Sequence, residues 1–339
     1  MSRVLVTGGA GFIGSHLVER LLADGHHVAV LDNFSTGHPD NLAHVRADGL
    51  TVCRADVTDT AIVANVCQGV DWVFHLAALA DIVPSIERPL DYYRANVNGT
   101  VSVLEAVRVA GVKRLVYAAS SSCYGIPDRY PTPETAAVRP QYPYALTKWV
   151  GEQLVLHWAQ VYKLSCVSLR LFNVYGPRAR TSGAYGAVFG VFLAQKLAGK
   201  PLTIVGDGSQ TRDFVFVTDV VEALVRAAAS GVSGESFNVG SGRPHAVGEL
   251  ARLLGGPVVY VPKRPGEPEC TWADITKIHR VLGWEPRVDF EEGLRRMMER
   301  IDDWKHAPIW TPETIAHATR DWFRYLSPEA DVSCEAINT

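Results

Sequence analysis

Val4-Leu5-Val6-Thr7-Gly8-Gly9-Ala10-Gly11-Phe12-Ile13-Gly14 is the stretch whose reading decides the fold. A β-branched run leads into glycines at three-residue spacing and then into the amphipathic stretch Phe12–Ala23. Strand, tight turn and helix in that order predict a phosphate-binding turn. Gly8 permits the turn, Gly11 lets backbone approach a pyrophosphate, and Gly14 lets helix and strand pack closely. The unpaired N–H groups at the helix start would face the anion. Taken alone the pattern also fits an ordinary strand-to-helix loop. What strengthens it is the next run, His27–Asp32, which ends in a carboxylate 24 residues after Gly8. Asp32 could accept hydrogen bonds from the ribose hydroxyls of an adenosine and would repel a 2′-phosphate. No arginine follows it directly, so NAD is expected rather than NADP.

Outward from that turn, apolar runs alternate with amphipathic ones. Val4–Thr7, His27–Asp32, Thr51–Arg54, Trp72–Leu76, Arg114–Ser120 and Ser165–Leu171 read as strands, and Phe12–Ala23, Tyr92–Ala110 and Tyr144–Val161 as helices. Strands apolar on both faces and separated by helices predict an α/β fold, a doubly wound Rossmann parallel sheet of six strands. After Asn173-Val174-Tyr175-Gly176-Pro177 the rhythm breaks, and the runs Leu202–Val205, Ser236–Val239 and Val258–Val261 suggest a smaller α/β lobe. The expected division is residues 1–172 for the NAD-binding domain, 173–309 for a substrate lobe and 310–339 for a helical extension of unassigned role. A segment near 212–232, including the helix Thr218–Ala228, is expected to return to the first domain. The extension should begin with Thr311 as N-cap and Pro312 at the first helical position.

The 339 residues include 33 basic and 36 acidic side chains, so no field of one sign would recruit nucleic acid or an anionic membrane. No apolar run reaches the ~18 residues of a membrane span. The six cysteines are scattered, without a C-x-x-C pair or a Cys/His cluster at metal-ligand spacing. A cytoplasmic protein with reduced thiols and no metal is the expectation.

Tyr144 and Lys148, at i and i+4 near the start of a helix, share one face. An adjacent ammonium and a positive nicotinamide ring would favour the phenolate of Tyr144, which could then take a hydroxyl proton as a hydride leaves the same carbon. A Tyr–Lys pair at this spacing is also common on plain surface. Ser120-Ser121-Ser122, at the carboxyl end of the fifth predicted strand, adds polar groups at the edge where open α/β sheets bind ligands. A serine there could share a proton with the reacting oxygen.

Together these residues resemble an extended short-chain dehydrogenase/reductase of the nucleotide-sugar epimerase and dehydratase group, most like the UDP-glucose and UDP-N-acetylglucosamine 4-epimerases. Further matching motifs are Leu76-Ala77-Ala78, Asn96-Val97-Asn98-Gly99-Thr100, Tyr144-Ala145-Leu146-Thr147-Lys148, Leu169 to Pro177, Gly206-Asp207-Gly208, Thr211-Arg212-Asp213-Phe214 and Phe237-Asn238-Val239-Gly240. The resemblance implies Ser120, Tyr144 and Lys148 as catalytic residues. It places the cofactor along Gly8, Gly11, Phe12, Ile13 and Gly14, then Asp32, Asn33, Ser35, Thr36 and Gly37. Asp56, Val57, Leu76, Ala77, Ala78 and Asn96 complete that set with Tyr144 and Lys148. For the substrate it implies Ser121, Ser122, Asn173, Val188, Thr203, Val205, Arg212, Arg264 and Thr271, with Asn173 and Arg212 on the diphosphate. Arg212 is also a plain match to phosphate geometry, its alternative being a surface pair with Asp213.

Ser121 and Ser122 stand where the related 4,6-dehydratases carry an Asp-Glu pair, which argues for epimerisation at C4 of a nucleotide-diphosphate hexose, with a UDP-sugar favoured. A 4-reductase, a decarboxylase, a 3,5-epimerase, an epimerase of GDP- or CDP-sugars and a non-catalytic NAD-binding regulator are the alternatives. Arg178–Val188 departs from the family pattern, and Val205 stands where an aromatic commonly lies beside the base. Thr271 falls where 4-epimerases restricted to unmodified hexoses carry a tyrosine, which leaves room for an N-acetyl group. A homodimer is expected through the helices Tyr92–Ala110 and Tyr144–Val161.

Overall fold

The computed structural model describes residues 1–45, 48–179 and 187–327. Of the unusual segment Arg178–Val188, residues 180–186 lie outside that description, as does the end of the extension from residue 328. Seven strands form the main sheet: β1 (Arg3–Thr7), β2 (His27–Asp32), β3 (Leu50–Arg54), β4 (Trp72–His75), β5 (Arg114–Ser120), β6 (Cys166–Leu171) and β7 (Glu235–Val239). Their order is β7-β6-β5-β4-β1-β2-β3, and every neighbouring pair is parallel. The order reverses between β1 and β4, which opens a crevice beyond their carboxyl ends.

The seventh strand is a departure from the six expected. Ser236–Val239, assigned from sequence to the smaller lobe, instead pairs along β6 from Glu235↔Val167 to Val239↔Leu171. Strand alternation explains how the sheet is covered. Val4, Val6, Val28 and Val30 face one side, where they meet Leu17, Val18 and Leu21 of α1 (Phe12–Ala23). Leu5, Leu31, Val73 and Leu115 face the other, under Leu104 and Val107 of α2 (Gly99–Ala110) and Val155 of α3 (Pro143–Tyr162). Each such fully buried Val or Leu contributes roughly 1.5–3 kcal/mol.

Local chemistry sets the helix ends. α2 stops at Gly111, whose φ of 66° suits the left-handed C-cap. α3 starts with Pro143 in its first turn, where a missing N–H leaves no orphan donor. The predicted helix Tyr92–Ala110 is not uniform: a π-helical turn over Tyr93–Asn98 precedes α2. It carries Asn96, whose amide exchanges hydrogen bonds with the backbone of Leu79 (2.8 and 3.0 Å) and donates to Thr147 Oγ1 (3.0 Å). The helix α4 (Val217–Ala229) packs on α1, so this part of the chain does return to the first domain.

The smaller lobe is held by pairs of short strands, Leu202–Val205 with Val258–Val261, Asn173–Tyr175 with Phe214–Phe216, and Thr211–Arg212 with His245–Ala246. Its core gathers Tyr175, Phe189, Phe192, Phe214, Phe290 and Trp304. Ile315, from the expected extension, joins that core, and Thr311 caps the helix Pro312–Ala318 with Thr314 reciprocating. Among the described residues no helix is long and apolar enough to cross a membrane.

A buried polar chain ties the crevice strands together. Thr7 Oγ1 and His75 Nδ1 lie 2.7 Å apart, and His75 Nε2 lies 3.0 Å from Thr100 Oγ1. Burial, with the Lys148 charge adding to it, lowers the His75 pKa to about 3. The folded value is below the unfolded one, so between about 3 and 6.5 the unfolded chain takes up more protons and stability falls as the pH drops through that window. Between pH 6.5 and 5 this one side chain should cost about 2 kcal/mol. Urea titrations of the wild type and His75→Gln should show a smaller acid loss in the variant. Equal losses would mean that His75 is not held neutral.

Candidate active site

Four strand ends and the first two turns of α3 meet at the crevice. Gly8, at φ +71°, follows β1 directly, and a Cβ there would lie 2.8 Å from the Ala77 nitrogen, so backbone from β1 and β4 can approach only because no side chain intervenes. At the end of β2, Asp32 is buried, and its carboxylate accepts from the Ala10 N–H (2.9 Å) and the Phe34 N–H (2.8 Å). It therefore fastens the glycine turn to β2. Burial raises its pKa above the ordinary carboxylate value, against these two hydrogen bonds. Beyond it Asn33 donates to Asp56 (2.7 Å), which also accepts from the N–H and hydroxyl of Thr58 (2.9 and 2.7 Å). Asn33, Ser35, Thr36 and Asp56 are exposed, whereas Gly37 is buried against the turn at Ala10 and Val57 against Gly99. Phe12 and Ile13 are half-buried at the start of α1, and Leu76, Ala77 and Ala78 half-exposed past β4.

Ser120 ends β5, and its hydroxyl lies 2.8 Å from that of Ser122 and close enough to the Tyr144 phenol to favour its ionised form. Lys148 is buried one turn along α3, its ammonium 4.4 Å from the centre of the Tyr117 ring. Burial lowers its pKa to about 7, with Glu152 acting in the opposite direction. Glu152, a further turn on, is paired with Arg170 (2.6 Å) and accepts from Ser168 (2.9 Å), which pins α3 to β6. The expected depression of the Tyr144 pKa is not found in the chain by itself. Burial raises it, Asp81 and Cys123 add to the rise, and the Ser120 hydrogen bond only partly offsets them.

On the lobe side, Arg212 is buried and its guanidinium meets Glu267 at 2.7 Å, not Asp213, which accepts instead from Ser241, Gly242 and Ala273. Arg264 approaches the same carboxylate at 3.6 Å, so two guanidinium groups converge on one anionic group. A cleft of ≈ 470 Å³ beside Arg212, Glu267 and Val205 is also lined by Gly206, Gln210 and Lys263. The Thr271 hydroxyl donates to Asn173 (2.7 Å) and accepts from the Asp213 N–H (3.0 Å). Ser121 and Ser122 stand half-exposed beside Ser120, and Val188 opens the helix Val188–Leu197.

Two expected contacts are corrected. Thr203 is buried and bound on both polar atoms by Gln195, at 3.1 and 2.9 Å, because the helix Val188–Leu197 covers that strand face; it supports the strand rather than facing the cleft. Asn96 is likewise committed to Leu79 and Thr147 and positions the loop after β4. Sequence reasoning missed Glu267, Glu152, His75 and Trp322. Glu152 was signalled by its i+4 spacing from Lys148. His75 and Trp322 have no local signal, since their hydrogen-bond partners lie at least 25 residues away, and Glu267 had only Arg264 three residues before it.

Residues 4–240 match the NAD dependent epimerase/dehydratase family. The UDP-glucose 4-epimerase of Mycolicibacterium smegmatis is 41% identical over 306 residues, covering 88% of this chain and 97% of that protein. UDP-glucuronic acid decarboxylase 1 of Xenopus tropicalis is 34% identical over 306 residues, covering 87% of this chain and 70% of that protein. The crystal structure of the Thermus thermophilus UDP-glucose 4-epimerase in complex with NAD superposes with a TM-score of 0.81 at 38% identity, over 88% of this chain and 99% of that one. The chain thus belongs to the NAD-dependent epimerase/dehydratase family, in its extended short-chain dehydrogenase/reductase group with the UDP-sugar 4-epimerases.

Proposed function

We propose that the protein interconverts the C4 epimers of a UDP-hexose. The observation that carries this reading is the gathering of Ser120, Tyr144 and the buried Lys148 at the crevice mouth, in a site where Ser121 and Ser122 provide no carboxylate for eliminating water. The cradle supports a dinucleotide: Gly8 and Gly11 admit pyrophosphate, the Asp32 oxygens retain lone pairs for ribose hydroxyls, and Asn33 and Asp56 edge an adenine site. Oxidised NAD, when bound there, supplies a positive ring and an acceptor that holds a hydride and gives it back.

Tyr144 takes the proton of the C4 hydroxyl as that carbon is oxidised, and Ser120 holds the same oxygen. The resulting 4-keto sugar turns over, and Tyr144 returns the proton when C4 is reduced on its other face. No net redox change follows. A phenol whose pKa is raised by burial needs nearby positive charge to act as base, and the cationic form of Lys148 contributes it. Arg212 and Arg264 suit the two phosphates, where the carboxylate of Glu267 now lies between them. Exposed Tyr93, Val109, Leu146 and Val161 on the helices of the expected two-fold surface support a homodimer.

Purified protein incubated with UDP-, GDP-, CDP- and dTDP-sugars should convert UDP-hexoses to an equilibrium mixture of C4 epimers with only catalytic NAD, as read by NMR. Tyr144→Phe should lose nearly all kcat while still binding UDP. Stoichiometric consumption of reduced cofactor, or carbon dioxide release from UDP-glucuronate, would replace the epimerase reading with a reductase or a decarboxylase. With threonine at 271, the UDP-GlcNAc/UDP-GalNAc pair should also turn over, and Thr271→Tyr should depress that pair selectively by at least about tenfold; an unselective loss would defeat the pocket argument. Sedimentation at micromolar concentration should give a dimer, and a monomer would reject the helix surface.

A further inference from the structure

We propose that the C-terminal helix Arg320–Leu326 is a clasp across the substrate cleft and that Trp322 is a positioning residue for the nucleotide-sugar, an inference that rests on the function proposed above. The segment is additional to the relatives. The M. smegmatis enzyme is matched over 97% of its length by 88% of this chain, and the family match already begins at residue 4, so the surplus falls toward the C-terminus.

The chain is fixed before it reaches the cleft. Ile315 is buried in the core of the smaller lobe, and Gln195 donates to the Trp310 carbonyl at 2.7 Å. From that anchor the helix Arg320–Leu326 crosses to pack against the helix Ile82–Glu87, which follows the Leu76–Ala78 strand end on the other side of the crevice. One short element thereby touches both lobes.

Trp322 lies at the middle of that crossing, 2% exposed. Its indole N–H donates to the Pro265 carbonyl (2.7 Å), in the turn that carries Arg264 and Glu267. The Arg264 guanidinium lies 5.4 Å from the ring centre, a cation–π contact that restricts its position beside Glu267. Its other neighbour is Tyr142, with ring centres 6.1 Å apart, and Tyr142 lies parallel to Tyr144 at 6.4 Å. Trp322 thus braces both the guanidinium suited to the diphosphate and the tyrosine pair at the reacting end. Phe323, its neighbour, lines the adjoining cavity of ≈ 660 Å³ with Ile126, Tyr130 and Arg264.

An indole that only sealed a lobe would affect stability alone. A positioning indole separates ligand affinity from cofactor affinity, and that difference is measurable in the full-length protein. Trp322→Ala should weaken UDP binding and raise KM for the UDP-sugar by about tenfold, the size expected for losing a desolvated cation–π contact and its backbone hydrogen bond. NAD affinity should not change. Trp322→Phe, which keeps a ring against Arg264 and Tyr142, should recover most of the loss, and Tyr325→Ala, exposed on the same helix, should match the wild type. In the wild type, amide exchange across residues 320–326 should slow when UDP is added, a readout that does not depend on the variant folding. Unchanged UDP affinity and KM in folded Trp322→Ala, or exchange indifferent to UDP, would overturn the clasp. Should the wild type neither bind UDP nor turn over a UDP-sugar, the proposed function falls instead.

Discussion

A single buried ammonium constrains the catalytic edge. Lys148 sits under α3 with almost no solvent, where a positive charge is costly, and its pKa of about 7 records that cost. What keeps it chargeable is arranged in sequence along one helix face. The Tyr117 ring offers its electron-rich side, and Glu152 supplies a carboxylate one turn away. Glu152 is paired with Arg170, which in turn is braced by the Tyr124 hydroxyl (2.8 Å) and the Glu134 carbonyl (3.0 Å). Removing one member would leave the next as an uncompensated buried charge. The network therefore fixes α3 against β5 and β6, and with it the distance from Tyr144 to Ser120.

The second lobe contributes anion binding by a similar logic. Arg212 on a short strand and Arg264 on a turn face each other only because Thr211 pairs with Ala246 and the chain from Val261 returns beside it. Glu267 pairs with both. A diphosphate carries more negative charge than this carboxylate and can take both guanidinium groups bidentately, so exchange of one for the other is electrostatically favourable. In the proposed function, binding and catalysis fall to different lobes, joined at the crevice and by the helix Arg320–Leu326.

Much of this was legible in the sequence, for definite physical reasons. The glycine turn and Asp32 form a local pattern whose geometry is nearly forced, and strands β1 to β6 with their helices fall where the apolar periodicity puts them. β7 was misplaced because Gly and Pro dominate the surrounding chain, and an edge partner 68 residues earlier leaves no local trace. Thr203 and Val205 read alike as alternate residues of one strand; only Gln195, reaching from the preceding helix, separates buried from cleft-facing. The pKa of Tyr144 was mistaken in sign for the chain on its own, since spacing reports the neighbouring lysine but not the desolvation that outweighs it. Trp322 left no local trace, because its partners at 142, 264 and 265 come from the far side of the fold.

The central claim is that the hydrogen removed from C4 returns to the same carbon with opposite geometry. UDP-glucose carrying deuterium at C4, incubated with the protein in ordinary water, tests it directly. The account predicts UDP-galactose that retains the deuterium at C4, with no label lost to solvent. Deuterium lost to water would place the chemistry in simple proton exchange next to a carbonyl, and deuterium accumulating in reduced cofactor would make the protein a net oxidase; either result would contradict the account.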